Sequence, residues 1–436
     1  GAVLAAMLSD GDEKKNIEKL LGITEELYEG KSYAEIDGSL FEPEQSASES
    51  VKARFALLRL RRAEELFEPK DIVAGLEELQ NAEDYLDDEA AIEMLFAYIM
   101  LGDEGKIEEY EYLIENQSDE LAAYATEKAV ALRKQVYGTD VYIRGLIEIG
   151  NICRNDCYYC GIRKGNPNLE RYRLSTENIL NCCKQGYGLG FRTFVLQGGE
   201  DPALTEERIE DIVSTIRRSY PDCAITLSLG EKSREAYERF FQAGANRYLL
   251  RHETYDKEHY QQLHPAGMSC EHRLQCLRDL KDIGYQTGTG IMVGSPGQTI
   301  EHLIQDILFI EQLRPEMIGI GPFLSHRDTP FDQSPSGTVE RTLLLLSIFR
   351  LMHPSALIPA TTALATLTPD GREQGILAGA NVVMPNLSPQ EERKKYNLYN
   401  NKASLGAESA EGLNILQQQL EKIGYQISFS RGDYKQ

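Results

Sequence analysis

The chain has 436 residues, 42% hydrophobic and 26% charged, with a net charge of −23, which is enough length for two or three domains and a large core. No stretch of eighteen apolar residues occurs, so a membrane-spanning helix is not expected. The apolar opening GAVLAAM is short and lacks the basic flank of a secretory signal, so a cytoplasmic protein is the expectation.

The charge is unevenly placed. Residues 1–120 hold 32 Asp and Glu against 11 Lys and Arg, whereas the remaining 316 hold 37 against 35. The acidic part contains neither Cys nor His, so soft-metal ligands and proton carriers of near-neutral pKa are absent from it. Chemistry is expected downstream. An acidic surface repels phosphate backbones, so nucleic acid is not an expected partner.

From Ile17 onward the apolar spacing is helical, with Ile17, Leu20 and Leu21, then Leu66 and Phe67, then Leu95, Ile99 and Leu101. PEQSASES at Pro43–Ser50 carries no apolar face and predicts a linker between two helical pieces. An offset of 34 residues pairs Ala63 with Ala97, Phe67 with Leu101, Val73 with Ile107, Leu76 with Tyr110 and Leu79 with Leu113. That is the tetratricopeptide period, and the LGD turn at Leu101 fits one helical hairpin. An irregular helical bundle fits the same matches equally well. The segment, taken as residues 1–118, is expected to be all-α and to serve packing or interaction.

After Gly138 short β-rich runs alternate with helical stretches, the pattern of a parallel α/β fold. The predicted strands are Tyr142–Ile149, Thr193–Gln197, Ala224–Leu229, Arg247–Leu250, Gln286–Ile291, Met317–Gly321, Leu357–Ala360 and Asn381–Met384. Helical patterns at Thr176–Gln185, Thr205–Arg217, Arg234–Ala243, Glu271–Ile283, Ile300–Leu313 and Val339–Met352 separate them. Eight such units over residues 119–436 predict a (β/α)8 TIM-type barrel, whose active site lies at the carboxyl ends of the strands. The unusual clusters fall there: three cysteines after the first strand, GGED after the second, SLGE at the third, RHET after the fourth, TTA after the seventh and MPN after the eighth.

All eight cysteines lie beyond residue 150, in a chain whose size and spacing do not suggest a disulfide framework. Cys153, Cys157 and Cys160 form a C-x3-C-x2-C spacing in CRNDCYYC. Structural zinc would call for a fourth Cys or His close by, whereas three thiolates suit a 4Fe-4S cluster that leaves one iron open to a substrate. Cys182, Cys183, Cys223, Cys270 and Cys276 have no ligand spacing and are expected to be ordinary thiols.

This motif on the first strand of an α/β barrel resembles the radical S-adenosylmethionine superfamily. The ordered set GLIEIGNICRNDCYYCGIR, VLQGGEDP, TLSLGE, NRYLLRHET, GIMVGSPGQT, GIGPFLSHRDTPF, IPATTALATL and GANVVMPN resembles more narrowly the FeFe-hydrogenase maturase family HydE, over roughly residues 119–436. The resemblance implies a 5′-deoxyadenosyl radical made from S-adenosylmethionine at a 4Fe-4S cluster held by Cys153, Cys157 and Cys160. It implies cofactor contacts from Tyr159, Gly198, Gly199, Glu200, Asp201, Ser228, Arg251, Glu253, Arg273 and Met292, with GGED receiving the ammonium group and Arg251, Glu253 and Arg273 meeting carboxylate and ribose. It places Gln197, Thr226, Thr361, Thr362, Met384, Tyr396 and Tyr399 around a substrate chamber. Many relatives carry a second cluster on carboxyl-terminal cysteines; Asn401–Gln436 has none, so a single cluster is expected.

The implied substrate is an iron-cysteine carbonyl cyanide complex on the path to the hydrogenase diiron subcluster, with other hydrogenase maturation proteins as partners. The acidic segment exceeds the family's usual length, so the resemblance gives it no role; docking of those partners on it is a separate expectation. Two other functions fit parts of the pattern. One is a radical enzyme acting on a small amino acid, like the related methylornithine synthase and biotin synthase, which a chamber with fixed charged groups would favour. The other is a non-catalytic iron-sulfur scaffold, against which the cofactor motifs speak.

Overall fold

The structure, a computed structural model, describes residues 11–66, 68–82, 88–101, 107–115, 117–402 and 406–435. GAVLAAM, Phe67 of the 34-residue repeat and Gly102–Asp103 of the LGD turn lie outside the described residues. The chain divides into two compact units, Gly1–Tyr110 and Glu111–Gln436.

The regular elements described in the first unit are helical: α1 (Asp12–Tyr28), α2 (Glu49–Leu66), α3 (Pro69–Gln80) and α4 (Asp88–Leu101), with α5 (Ile107–Glu115) crossing into the second. Pro69 opens α3, where its missing N–H is one the helix would leave unbonded anyway. Gly75 lets α3 lie against α2, because a Cβ there would come within 3.2 Å of Leu60 Cβ. Ile23, Ile36, Phe41, Phe55 and Leu58 form an apolar cluster under α1 and α2.

The second unit continues with α6 (Asp119–Tyr137), β1 (Asp140–Ile143), β2 (Gly145–Gly150), α7 (Thr176–Gly188), β3 (Thr193–Gly198), α8 (Glu206–Ser219), β4 (Ala224–Ser228), α9 (Arg234–Ala243) and β5 (Arg247–Leu249). It goes on through α10 (Lys257–Leu263), α11 (Cys270–Ile283), β6 (Gln286–Val293), α12 (Ile300–Leu313), β7 (Met317–Pro322), α13 (Val339–Met352), α14 (Thr362–Leu367), α15 (Gly371–Leu377) and β8 (Val382–Val383). It ends with α16 (Gln390–Arg393), α17 (Leu413–Lys422) and β9 (Gln426–Ser428). The long barrel helices start on Ser or Thr whose hydroxyl accepts an amide of the first turn: Ser175, Thr205, Ser233, Ser269, Thr299 and Thr338. Each such cap is worth about 1 kcal/mol and sets where the chain leaves the strand end.

Strands β2 to β7 form a parallel sheet in chain order. Backbone bonds close it into a ring. Ile318 N donates to Leu357 O at 3.2 Å, Asn381 N to Ile358 O at 2.9 Å, Arg144 N to Val383 O at 2.9 Å and Leu146 N to Pro385 O at 3.0 Å. The segments at Leu357–Ala360 and around β8 are thus the seventh and eighth staves of an eight-stave barrel.

Four details depart from expectation. The first stave is split at Arg144: β1 pairs with β8 and β9, and β2 pairs with β3. The seventh stave makes only isolated bridges, because Pro359 lacks the N–H that a regular ladder requires. The eighth is two residues long, ended by Pro385. The unanticipated β9 adds to β1 outside the ring.

Ser118 Oγ caps α6 by accepting Leu121 N at 3.1 Å, and Gln117 accepts from Arg341 Nε at 2.8 Å. Expressed alone, a chain beginning at Gln117 is expected to fold with the full barrel helicity by circular dichroism, while one beginning at Leu121 should melt several degrees lower. Aggregation of the Gln117 chain would show that the barrel depends on residues 1–116.

Candidate active site

Cys153, Cys157 and Cys160 lie on the loop that leaves β2 at the carboxyl-end mouth of the barrel. All three are free and half-buried. The loop is tied down at both ends and in its middle. Arg154 N donates to Glu200 O at 2.9 Å, Tyr158 N to Leu263 O at 2.9 Å, Cys160 N to Cys157 O at 3.2 Å and Gly161 N to Leu398 O at 2.8 Å. Arg163 grips Asp156 with two bonds of 2.6 and 2.7 Å, and Arg171 donates to Asn151 O and Ile162 O.

Burial pushes the thiol of Cys160 up to about 12, and the charge of Cys153 adds to the rise. Burial, then Cys160, raises Cys157 well above the ordinary thiol range, and burial raises Cys153. Three neighbouring thiols that resist ionisation are a donor set for a cationic partner, whose charge would draw off the protons. Among the described residues no three Cys, His, Asp or Glu converge as ligands of a single metal ion. Three thiolates on one loop suit a cluster in which each holds a different iron.

The loop rests on GGED. A Cβ on Gly199 would fall 2.8 Å from Cys153 Cβ and closer still to Ile152 O, so only glycine admits the cysteine loop there. Glu200 is buried; it pairs with Arg154 and accepts Glu231 N at 3.0 Å. Gly230 makes room for it, since a Cβ there would sit 2.5 Å from Glu200 Cδ. Asp201 is engaged in two bonds from Arg173 and one of 2.9 Å from Ala203 N. Its carboxylate therefore braces the loop, and of the acids in GGED it is Glu200 that stands next to the cysteines.

Arg251 and Glu253 follow β5 and pair at 3.4 Å. Glu253 is buried, has a left-handed φ of 68°, and its Oε2 accepts no hydrogen bond, which is strain and desolvation of the kind found at ligand sites. The charge of Glu253 acts on Tyr159 and Cys160, and that of Arg273 on Cys157, so these groups face the triplet. Arg273, buried on α11, also pairs with Glu231 and donates to Arg251 O at 2.7 Å. Tyr159 packs with Leu263, Met292 and Phe323, and its hydroxyl meets His264 Nε2 at 3.2 Å. Ser228 ends β4 beside Gln197 of β3.

The chamber residues separate into those with open polar atoms and those without. Thr226 and Thr361 each bury a hydroxyl that has no partner. Thr362 instead donates to Glu408 at 2.9 Å. Gln197 reaches the Tyr396 hydroxyl at 3.4 Å, Tyr399 lies near Arg251, and burial raises both phenols. Met384 packs against Tyr137, Tyr142, Met317, Leu357 and Val382, at the floor end of the strands.

Four polar residues of this region escape a motif-based reading. Glu148, fully buried on β2, pairs with Lys402 and accepts Asn386 Nδ2 at 2.8 Å. A charged residue in the wholly buried strand GLIEIG was the available signal; Asn386 lay in the MPN cluster with no role assigned to it, and Lys402 carried no signal. At the floor, Arg144 is buried with its Nε and one terminal nitrogen unpartnered, and desolvation together with Arg247 lowers its pKa well below the ordinary value.

A parallel eight-stave barrel with three thiols on the loop after its first stave defines a radical S-adenosylmethionine enzyme, and the profile described as Radical SAM superfamily matches residues 147–310. The solved structure of methylornithine synthase PylB superposes with a TM-score of 0.68 at 28% identity, covering 77% of this chain and 97% of that one. FeFe-hydrogenase maturase subunit HydE of Thermotoga maritima is 43% identical over 293 residues, 67% of this chain and 83% of the relative. The 3-methylornithine synthase of Methanosarcina acetivorans is 32% identical over 58% of this chain and 71% of the relative. The chain belongs to the HydE family of radical S-adenosylmethionine enzymes, a membership that implies a 4Fe-4S cluster and S-adenosylmethionine.

Substituting Gly199→Ala is expected to remove most of the iron and sulfide taken up on anaerobic reconstitution while leaving the circular dichroism unchanged, because the added methyl displaces the cysteine loop. Cys157→Ser should do the same and Cys182→Ser should not. Full cluster loading in Gly199→Ala would show that the loop does not depend on this contact.

Proposed function

We propose that this chain performs a radical step in maturation of FeFe-hydrogenase, acting on an iron-cysteine complex that bears carbonyl and cyanide ligands. The likeness to Thermotoga HydE across 83% of that maturase carries the proposal. One 4Fe-4S cluster on Cys153, Cys157 and Cys160 would, with S-adenosylmethionine bound, supply the 5′-deoxyadenosyl radical. Residues 401–436 contain no cysteine for a second. The acidic first unit is proposed as the docking surface for other maturation proteins.

The residues around the barrel have roles that follow from their chemistry. Glu200 and Glu253 present carboxylates to the cationic and hydroxyl groups of the cofactor, and Arg251 offers donors to its carboxylate. Tyr159, Leu263, Met292 and Phe323 form an apolar layer against the cysteine loop, which keeps water from that side. The free hydroxyls of Thr226 and Thr361 can each donate one bond to an anionic or cyanide ligand without displacing it from iron. At the floor Arg144 keeps two buried N–H donors without a partner, which an anionic ligand could accept.

Action on an amino acid would call for a carboxylate and an ammonium group free to bind substrate. Glu148 and Lys402 are of those kinds, but they are joined to each other, so the chamber offers a neutral pair in their place. Among the described residues no helix is long and apolar enough to cross a membrane.

Thr361→Val keeps side-chain shape while removing one donor. Conversion of the synthetic iron-cysteine complex is expected to fall about tenfold, since a hydrogen bond to a charged ligand is worth roughly 1.5 to 3 kcal/mol, with formation of 5′-deoxyadenosine in the absence of that complex unchanged. Thr362→Val should lower the melting temperature instead, through the lost bond to Glu408. Turnover of lysine or another free amino acid by the parent protein, with the iron complex left intact, would overturn the proposed substrate.

A further inference from the structure

We infer that the buried pair His252 and Asp306, set in the barrel wall behind the cofactor-facing residues, is a positioning device for Arg251 and Glu253. This rests on the proposal that those two residues contact S-adenosylmethionine. His252 turns to α12, against Asp306 and Phe309, whereas Arg251 pairs with Glu253, whose charge acts on Tyr159 and Cys160. The His252 ring is fully buried and so is Asp306 on α12. His252 Nδ1 lies 2.7 Å from Thr289 Oγ1 of β6, and Nε2 lies 3.2 Å from Asp306 Oδ1. The Thr289 hydroxyl holds the ring by a hydrogen bond at Nδ1, while Nε2 makes a close approach to the carboxylate without the alignment of a hydrogen bond.

The same Asp306 oxygen accepts Tyr255 N at 2.6 Å. One carboxylate thus reaches both the side chain before Glu253 and the backbone two residues after it. Between these anchors Glu253 holds its left-handed φ of 68°, a conformation that a glutamate does not adopt unaided. Phe309, three residues along α12 from Asp306, stacks on Tyr255 at 5.2 Å and meets the His252 ring edge-on at 4.9 Å. The helix therefore clamps the segment on both sides of the strained residue. Asp306 keeps one oxygen without a partner, and burial raises its pKa, a cost that packing alone does not explain. What the arrangement gains is a fixed direction for Arg251 and Glu253 before the cofactor arrives, which lowers the ordering that binding must impose.

The test uses the full chain, reconstituted anaerobically, with Thr289→Val, Asp306→Asn and Glu253→Gln. Iron and sulfide content, melting temperature and S-adenosylmethionine affinity are measured, the last from the change that S-adenosylmethionine makes in the electron paramagnetic resonance of the reduced cluster. The near-isosteric Thr289→Val keeps the test open even where Asp306→Asn folds poorly. Expected are parental cluster content, at least a fivefold weaker affinity in Thr289→Val and in Asp306→Asn, and a comparable loss in Glu253→Gln. Affinity within twofold of the parent in the two wall variants, with Glu253→Gln weakened, would overturn the positioning role alone. An unchanged affinity in Glu253→Gln would overturn the cofactor contact and the inference with it.

Discussion

The cysteine loop lies directly on the backbone of Gly199, with no side chain between them, and much of the barrel mouth is arranged around that contact. It requires β3 to end in two glycines, and it brings Glu200 beside Cys153 and Arg154. Glu200 in turn needs the space that Gly230 leaves after β4. Arg173 and Asp201 brace the far side, and the chain around Leu398 returns from the eighth stave to accept Gly161 N. Five separate stretches of sequence meet within one loop, and the closed ring of staves is what holds them at a common height.

Charge is managed differently at the two ends of the strands. At the mouth nearly every ion is paired: Glu200 with Arg154, Arg251 with Glu253, Arg273 with Glu231, Glu148 with Lys402. Buried pairs of this kind contribute little net stability, since desolvation offsets their attraction, but they fix orientation. At the floor Arg247 is held by Asp433 and the carbonyl of Gly432 from the chain's last residues. Arg144, on the first stave where Arg247 is on the fourth, keeps two of its nitrogens without a hydrogen-bond partner.

Much of this was legible in the sequence. Strands β3 to β7 and helices α7 to α9 and α11 to α13 lie where the alternating patterns placed them, because each element buries one face; the short α10, capped by Asp256, was not among them. What was hidden depends on long-range pairing or on missing donors. The split at Arg144 arises because the lower and upper halves of one stave pair with different neighbours, and Pro359 removes a ladder bond that composition alone does not register. In the site, the C-x3-C-x2-C spacing was enough to put three thiols on one loop. The bond of Thr362 to Glu408, the packing of Met384 at the floor and the Glu148–Lys402 pair needed the folded chain, since their partners lie 46 to 254 residues away or on the opposite wall.

The central claim is that Cys153, Cys157 and Cys160 hold a single cluster with one iron left open. Mössbauer spectroscopy of the reconstituted, iron-57-labelled protein addresses it directly, with and without S-adenosylmethionine. The account predicts one 4Fe-4S cluster per chain, with one iron of the four shifting its isomer shift when S-adenosylmethionine is added. Two clusters per chain, a two-iron species, or a four-iron spectrum unaffected by S-adenosylmethionine would contradict it.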